Sequence, residues 1–554
     1  MRPIPARGSA AQAATRLQRL KPLGPASAAA AEPRVHSRYG ATLLLLPILA
    51  LVPSSRLAAQ CPDGTPPPCA APAARAPTPA PPPNSVAVLY FDNLSRDTAD
   101  AYVAEGLTEE LIARLGQVHR LRVKSRAAVE RHRGAGRDPA FLGRALGVAH
   151  LLNGSVRRSG PRLRVTVELV RAATGDRVWG DQYDRTDADL LVLQEDIARA
   201  VVAAIAGRLL PAERASLATR PTVDPAAYAS YLRGHYYLAQ RSRRAVARAI
   251  EEYEAAVRLD PGFTAALARI AYGYALFLDW DWDYPGLPAE SVLSRGLAAS
   301  ERALRQDSAT SDAWMARGYL FSFRHPGTFE GAPEAFERAI RLDPQNAEGY
   351  HQYGWILSQL GTDSAAVATY GRALAREPDR AITLRDLAVQ HMMQHRFDEA
   401  LRWLDSTLVV YPAFYQAYSD RARLRLQLGD RARARADAET AVRLAPDGDP
   451  WGVTALGLVQ LADGDSAGAR ARPEPFLREL DQGVRRPNAI DVYLTCALLV
   501  ALGEHDRALA LLERFQPRGP RLWYFIQAPE FDALRGHPRF QRLVEESRPP
   551  GAPR

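Results

Sequence analysis

Lysine is almost missing from this chain: only Lys21 and Lys124 occur among 554 residues, so 69 of the 71 basic side chains are arginine. That skew reads as a codon bias and carries no functional meaning. A basic excess is missing too, although the formal net charge is +9. Residues 1–59 hold eight basic side chains against Glu32 alone, a balance of +7, which leaves 9 − 7 = +2 for everything after them. A body so nearly neutral has no surplus to hold phosphates, and nucleic acid is excluded as a partner. Apolar runs long enough to span a membrane are also lacking. Ala41–Val52 has 12 residues, against the roughly 20 that a spanning helix needs. No GxSxG, HExxH, P-loop or kinase signature occurs, so catalysis and cofactor binding have no visible support.

What is present begins with a basic stretch, the apolar run 41–52 and the exit "RLAAQ", which together form a secretory signal pattern over residues 1–59. The expectation is export to the periplasm or cell envelope. The alternative is an uncleaved segment that tethers the protein to the membrane with its folded parts outside the cytoplasm. Gln60 just before Cys61 disfavours a lipoprotein reading. Residues 60–84 form a proline- and alanine-rich spacer, since proline fixes φ and removes a backbone donor. Within it Cys61 and Cys69 are placed to pair outside the cytoplasm. The third cysteine, Cys496, falls at a small, close-packed position of a distant helix and is read as a buried structural thiol.

Residues 85–210 alternate strand and helix signals in the order β-α-β-α-β-β-β-α. Leu163, Val165, Val167 and Leu169 alternate with Arg164, Thr166 and Glu168, the mark of a half-buried antiparallel strand. The carboxylates Asp92, Glu105, Glu109, Glu110 and Asp181 offer no nucleophile–base pairing. Arg157 and Arg158 are read as a solvated strand edge, and Trp179 as a sheet-face core residue. The stretches "SVAVLYFDNLSRD", "AYVAEGLTEELIARL" and "LLNGSVRRSGPRLRVTVELVRAATGDRVWGDQYDR" resemble the TolB-type amino-terminal domain. That resemblance implies an α/β docking module.

From residue 226 to 517 the chain repeats. "AVRLDP" at Ala256–Pro261 returns as "AIRLDP" at Ala339–Pro344 and "AVRLAP" at Ala441–Pro446. Pro344, Pro378, Pro412 and Pro446 are 34 residues apart, the period of a helix–turn–helix unit whose second helix a proline stops. The pattern resembles tetratricopeptide repeats, predicting an all-α superhelical solenoid of about eight helix pairs, the last two degenerate. Residues 518–546 are expected to cap it, covering the open apolar end of the stack. One enlarged turn, Leu278–Pro288, contains alternating aspartates and tryptophans. It is read as an inserted turn folded onto the array, with an acidic lip for a basic partner as the alternative. His391 and His395 are read as a solvated helix end and not as metal ligands.

Position counting puts Asp312, Met315, Tyr319, His351, Trp355, Arg385, Val389, Ser419 and Arg423 on the inner faces of first helices, a groove for a protein or peptide partner. Arg385 and Arg423 would suit a peptide carboxylate, although the lysine and asparagine set of carboxylate-clamp repeats is absent. The expected function is a non-enzymatic interaction scaffold. Relatives of this domain pairing often begin with a winged-helix, kinase or cyclase module. That leaves a second expectation, a sensory or regulatory protein acting with a separate kinase or transcription regulator.

Overall fold

Strand β1 (Ser85–Val88) opens a six-stranded mixed sheet, because Val86 and Val88 point to one layer of helices and Ala87 to another. It is followed by β2 (Asp92–Asn93), α1 (Ala101–Gly116), β3 (Arg122–Val123), α2 (Arg126–Glu130), α3 (Pro139–Leu146), β4 (His150–Ser159), β5 (Arg162–Arg171), β6 (Arg177–Thr186), α4 (Leu190–Ala206) and α5 (Pro211–Ala218). The computed structural model describes residues 80–552 apart from 96, 98–99, 131, 134–137, 161, 187–188, 241, 281, 447–448, 485–487 and 516–517. The signal segment expected over residues 1–59, and Cys61 and Cys69 with the pairing expected of them, lie outside the described residues.

The strand order is β3-β1-β4-β5-β6, with β2 also pairing with β4. β1 runs parallel to β3 and β4, while β4–β5 and β5–β6 are antiparallel. β5 keeps its alternation: Leu163, Val165, Val167 and Leu169 are buried and Arg162, Arg164 and Thr166 are exposed. Two expectations need correcting. The strand that "SVAVLYF" (Ser85–Phe91) predicts stops at Val88, and a separate pair, Asp92–Asn93, continues the line further along β4. Past Val156 the only described strand beside β4 is β5, and Arg157 is exposed there as read, but Arg158 is half-buried, its N–H donating to Ser95 Oγ at 2.9 Å and its Nε to the Asp100 carboxylate at 2.7 Å.

Beyond residue 224 the described chain is helical. The successive pairs are α6 (Pro225–Ala239) with α7 (Arg243–Leu259), α8 (Thr264–Asp279) with α9 (Ala289–Gln306), α10 (Ser311–Arg324) with α11 (Ala332–Leu342), α12 (Ala347–Gln359) with α13 (Asp363–Arg376), and α14 (Ala381–Met393) with α15 (Phe397–Val410). Then come α16 (Tyr415–Gln427) with α17 (Arg431–Leu444), α18 (Pro450–Ala462) with the broken α19 (Ser466–Ala471) and α20 (Glu474–Asp481), and α21 (Ala489–Ala501) with α22 (His505–Arg514). The chain ends in α23 (Pro520–Ile526), a 3₁₀ turn at Pro529–Leu534 and α24 (Pro538–Ser547).

Each recurring hexamer closes a second helix. Ala256, Ala339 and Ala441 are fully packed, and their carbonyls accept the N–H of the capping residues Asp260, Asp343 and Ala445. Arg258, Arg341 and Arg443 face solvent near the helix C-terminus, where a cation is favoured. At Gly354 the paired helices cross so closely that a Cβ would lie 2.8 Å from the Tyr370 ring. Of the enlarged turn's two tryptophans only Trp282 folds onto the array, packing edge-on to Phe277 at 5.6 Å between ring centres, while Trp280 lies 4.4 Å from Trp282 and stays exposed. His391 does not sit at a solvated helix end. It is buried beside Glu399, whereas α14 stops before His395, whose φ is +54°.

The sheet and the array share one core. Leu107 and Leu111 of α1, Ile197 and Val201 of α4, Tyr228 of α6 and Phe336 of α11 belong to a continuous buried cluster that ends at Ile356. Tyr228 Oη donates to Gln194 Oε1 at 2.6 Å, and Arg114 Nη1 donates to the Leu217 carbonyl at 3.0 Å. The first repeat therefore rests on α1 and α4 in place of a preceding repeat.

Candidate functional site: the groove of the helical array

The first helices α12, α14, α16, α18 and α21 converge on the chain's own segment 520–530. Trp355 of α12 meets Tyr524 edge-on at 5.5 Å and lies 6.3 Å from Phe525. Tyr493 of α21 stacks on Phe525 at 5.0 Å and 19°. Below these rings lies an ionic lattice. Arg385 Nε donates to Asp420 Oδ2 at 2.8 Å, and its Nη1 donates to Asp386 Oδ1 at 3.1 Å. Its guanidinium also lies 4.5 Å over the Trp451 ring of α18. Arg423 Nη1 donates to Asp420 at 3.2 Å, and its Nε donates to Glu530 Oε1 at 2.9 Å. Arg423 also donates to the Tyr493 hydroxyl.

Burial sets the charge states here. It pushes the Asp386 carboxyl up to about 6, against the pull of Arg385 and helped by the neighbouring Asp420. Burial likewise pushes the Tyr524 phenol well above its ordinary value. The two arginines stay charged because Asp420, Asp386 and Glu530 outweigh their desolvation. His351 approaches Asp386 from α12 at 3.8 Å.

The nine residues expected along the groove are therefore not equivalent. Trp355, Arg385, Val389 and Arg423 do line one cleft, together with Tyr524, Phe525 and Glu530. Ser419 is instead a helix–helix contact, its Oγ donating to the Trp451 carbonyl at 2.7 Å. Met315 and Tyr319 are fully buried, and Asp312 is held by Arg269 at 2.7 Å. A partner's carboxylate is not what Arg423 meets, since Glu530 fills that role from within. Segment 518–546 packs α24 on α22, with Phe540 and Leu543 in the same buried cluster as Leu509 and Leu512. It also runs back into the groove, which its apolar spacing alone did not reveal. Sequence reasoning missed Asp386, Asp420, Tyr493 and Glu530. The one usable signal was the string "RLWYFIQAPE" (Arg521–Glu530), whose aromatic density exceeds what an end cap requires.

The carboxylates of α1 are all engaged: Glu105 with Arg133, Glu109 with Arg126 and His235, and Glu110 with Arg114. Against burial, His235 and Arg126 hold the Glu109 carboxyl below its ordinary value. Cys496 is buried with its Sγ 3.5 Å from the Ala508 carbonyl, and burial pushes the thiol up, away from thiolate chemistry.

Two tetratricopeptide repeat models match the chain, at residues 335–368 and 415–447. The array is built of tetratricopeptide repeats. Among curated relatives, 199 residues are 33% identical to a protein of Rhizobium meliloti (strain 1021) named "Putative adenylate cyclase 3", covering 36% of this chain and 34% of that one. A further 171 residues are 30% identical to "Cellulose synthase operon protein C" of Xanthomonas axonopodis pv. citri (strain 306), over 29% of this chain and 11% of that one. The chain thus spans about a third or less of the length of these relatives. A tetratricopeptide repeat protein from Parabacteroides merdae ATCC 43184 aligns over 50% of this chain and all of its own, with 16% identity and a TM-score of 0.35.

Proposed function

We propose that this protein is a non-enzymatic interaction scaffold in which the tetratricopeptide groove holds a peptide segment of a partner. One observation carries the reading. The first helices α12–α21 aim an aromatic and charged set at a chain segment, where helices that only supported one another would present small apolar residues. On this reading the sheet domain, which resembles TolB-type amino-terminal domains, is a second docking surface. The signal-like leader would deliver both to the periplasm or cell envelope. Cross-linking with mass spectrometry in the native cell tests the scaffold role. Cross-links from the array to envelope proteins are expected, and an array without protein cross-links would sink the reading. Fractionation with amino-terminal sequencing tests export, with a mature start near Gln60 expected.

A second reading has one observation in its favour, the similarity to a protein that carries the cyclase name. Under it the chain is a regulatory input partner of a separate signalling protein. Kinases or DNA-binding proteins among the cross-linked products would select it.

A further inference from the structure

Segment Arg521–Glu530 enters the groove as a ligand would. Arg521 reaches the ends of three successive first helices: its Nη2 donates to Asp279 Oδ1 at 3.0 Å, its Nε to Gln359 Oε1 at 3.3 Å, and its guanidinium lies 5.0 Å over the Phe323 ring. These partners lie 162 to 242 residues upstream, far from the last helix pair that the segment follows. Asp279 belongs to the acidic, tryptophan-rich turn, so the basic partner that such a lip would suit is supplied by the chain itself. At the other end of the segment Glu530 meets Arg423. Between them Tyr524 and Phe525 fill the space bounded by Trp355 and Tyr493.

The fit is incomplete. The second carboxylate oxygen of Glu530 and the amide nitrogen of Gln527 are buried without a hydrogen-bond partner. Alongside the segment a polar cavity of about 400 Å³ remains between Trp523, Gln527 and Arg535 on one side and Asp363 and His395 on the other. A buried lattice of charges is a poor way to gain stability, because desolvation offsets most of the attraction. It is a good way to discriminate among ligands, because a wrong one leaves charges unpaired.

We propose that Arg521–Glu530 is an internal stand-in for the groove's ligand, and that the partner is a peptide of the same chemistry: an arginine, an aromatic run and a carboxylate five residues beyond it. The proposal rests on the scaffold reading and names the partner class for it. A tethered ligand acts at an effective concentration of about millimolar, so an external peptide binds weakly until the internal segment is released.

The test uses the full chain and a labelled peptide RLWYFIQAPE. The Arg521→Gln/Glu530→Gln variant weakens the internal segment's polar anchors and keeps its apolar cap. It is expected to bind the peptide at least tenfold more tightly than the unaltered protein. Adding Arg423→Met to it should cut that affinity at least tenfold. Should the double variant melt below working temperature, the single variant Arg521→Gln removes one anchor from the segment, leaves Asp279 free for the peptide's arginine and should give a smaller gain in the same direction. Hydrogen exchange of residues 520–530 in the unaltered protein should quicken when peptide is added in excess. Equal affinity in the unaltered and released proteins, or no binding to any of them at about millimolar peptide, would overturn the proposal. In that event envelope proteins cross-linked to the array would leave the scaffold reading standing, and their absence would remove it as well.

Discussion

The front of the molecule, from Ser85 to Leu342, and the back, from Ala347 to Ser547, are both built of layered helices yet held together differently. In front, sheet, α1, α4 and three repeats share a single apolar cluster rich in tyrosine, phenylalanine and leucine. Behind, the repeats hold smaller separate clusters, such as Ala422, Ala434, Ala438, Ala455 and Val459. Helix α17, "RARARADAETAVRL", shows why: alanines and charges offer little apolar area. Ion pairs stand in its place, with Arg421 and Arg425 both on Asp437 at 2.7 and 2.6 Å. The returning segment 520–543 then supplies the aromatic mass that the back repeats lack. A solenoid whose units touch only their neighbours can thus be stable at one end and dependent on its tail at the other.

Two aromatic truncations test this contrast most strongly. Phe336→Ala in front and Phe525→Ala in the tail each remove a buried ring and should each cost about 3–5 kcal/mol. Hydrogen exchange should show that Phe336→Ala loosens the sheet and the first repeats together. Phe525→Ala should loosen α12–α22 while the front keeps its protection. Uniform loss of protection in both variants would erase the distinction.

The next effect is a pH dependence confined to the back. The folded carboxyl of Asp386 is raised to about 6 from an ordinary 3.8. Its contribution to stability is therefore fully present below about pH 4 and lost as pH rises through 6, up to about 3 kcal/mol. Arg385, Asp420 and Asp279 are the charged groups that face it, with the His351 ring 3.8 Å away and the Tyr370 and Tyr524 phenols nearby. Asp386→Asn should flatten the stability of the back repeats between pH 4 and 6.5 relative to the unaltered protein. Parallel denaturation curves for the two proteins across that window would contradict this.

A smaller pair of variants sharpens the register of the repeats. Gly354→Leu forces side-chain atoms into the Tyr370 ring and should cost about 1–3 kcal/mol or somewhat more. Arg372→Leu, exposed on the second helix of the same unit, should stay within about 0.5 kcal/mol. Equal melting temperatures would mean that the helices cross elsewhere.

The repeat interior was readable because each helix crossing needs a small residue and each unit end a stop, at fixed spacing. Ala366, Ala373, Ala400 and Ala434 are all buried as that rule requires. The succession of strands and helices along the chain was readable from alternation and turns, whereas their order across the sheet and the partner of Arg158 came only from the fold. The groove was only half readable. Periodicity places Arg385 and Arg423 on inner faces, but what meets them comes from Asp420, 35 residues beyond Arg385, and from Glu530, 107 residues beyond Arg423.

By itself the sequence determined the helix pairs, their 34-residue joint and the near-neutral balance of residues 60–554, since these depend on local spacing and composition. Only the tertiary structure decided that the array closes on its own tail. No local pattern reports where a segment returns. That is set by contacts between residues 107 to 242 positions apart, in which Arg521–Glu530 bridges Asp279, Gln359 and Arg423.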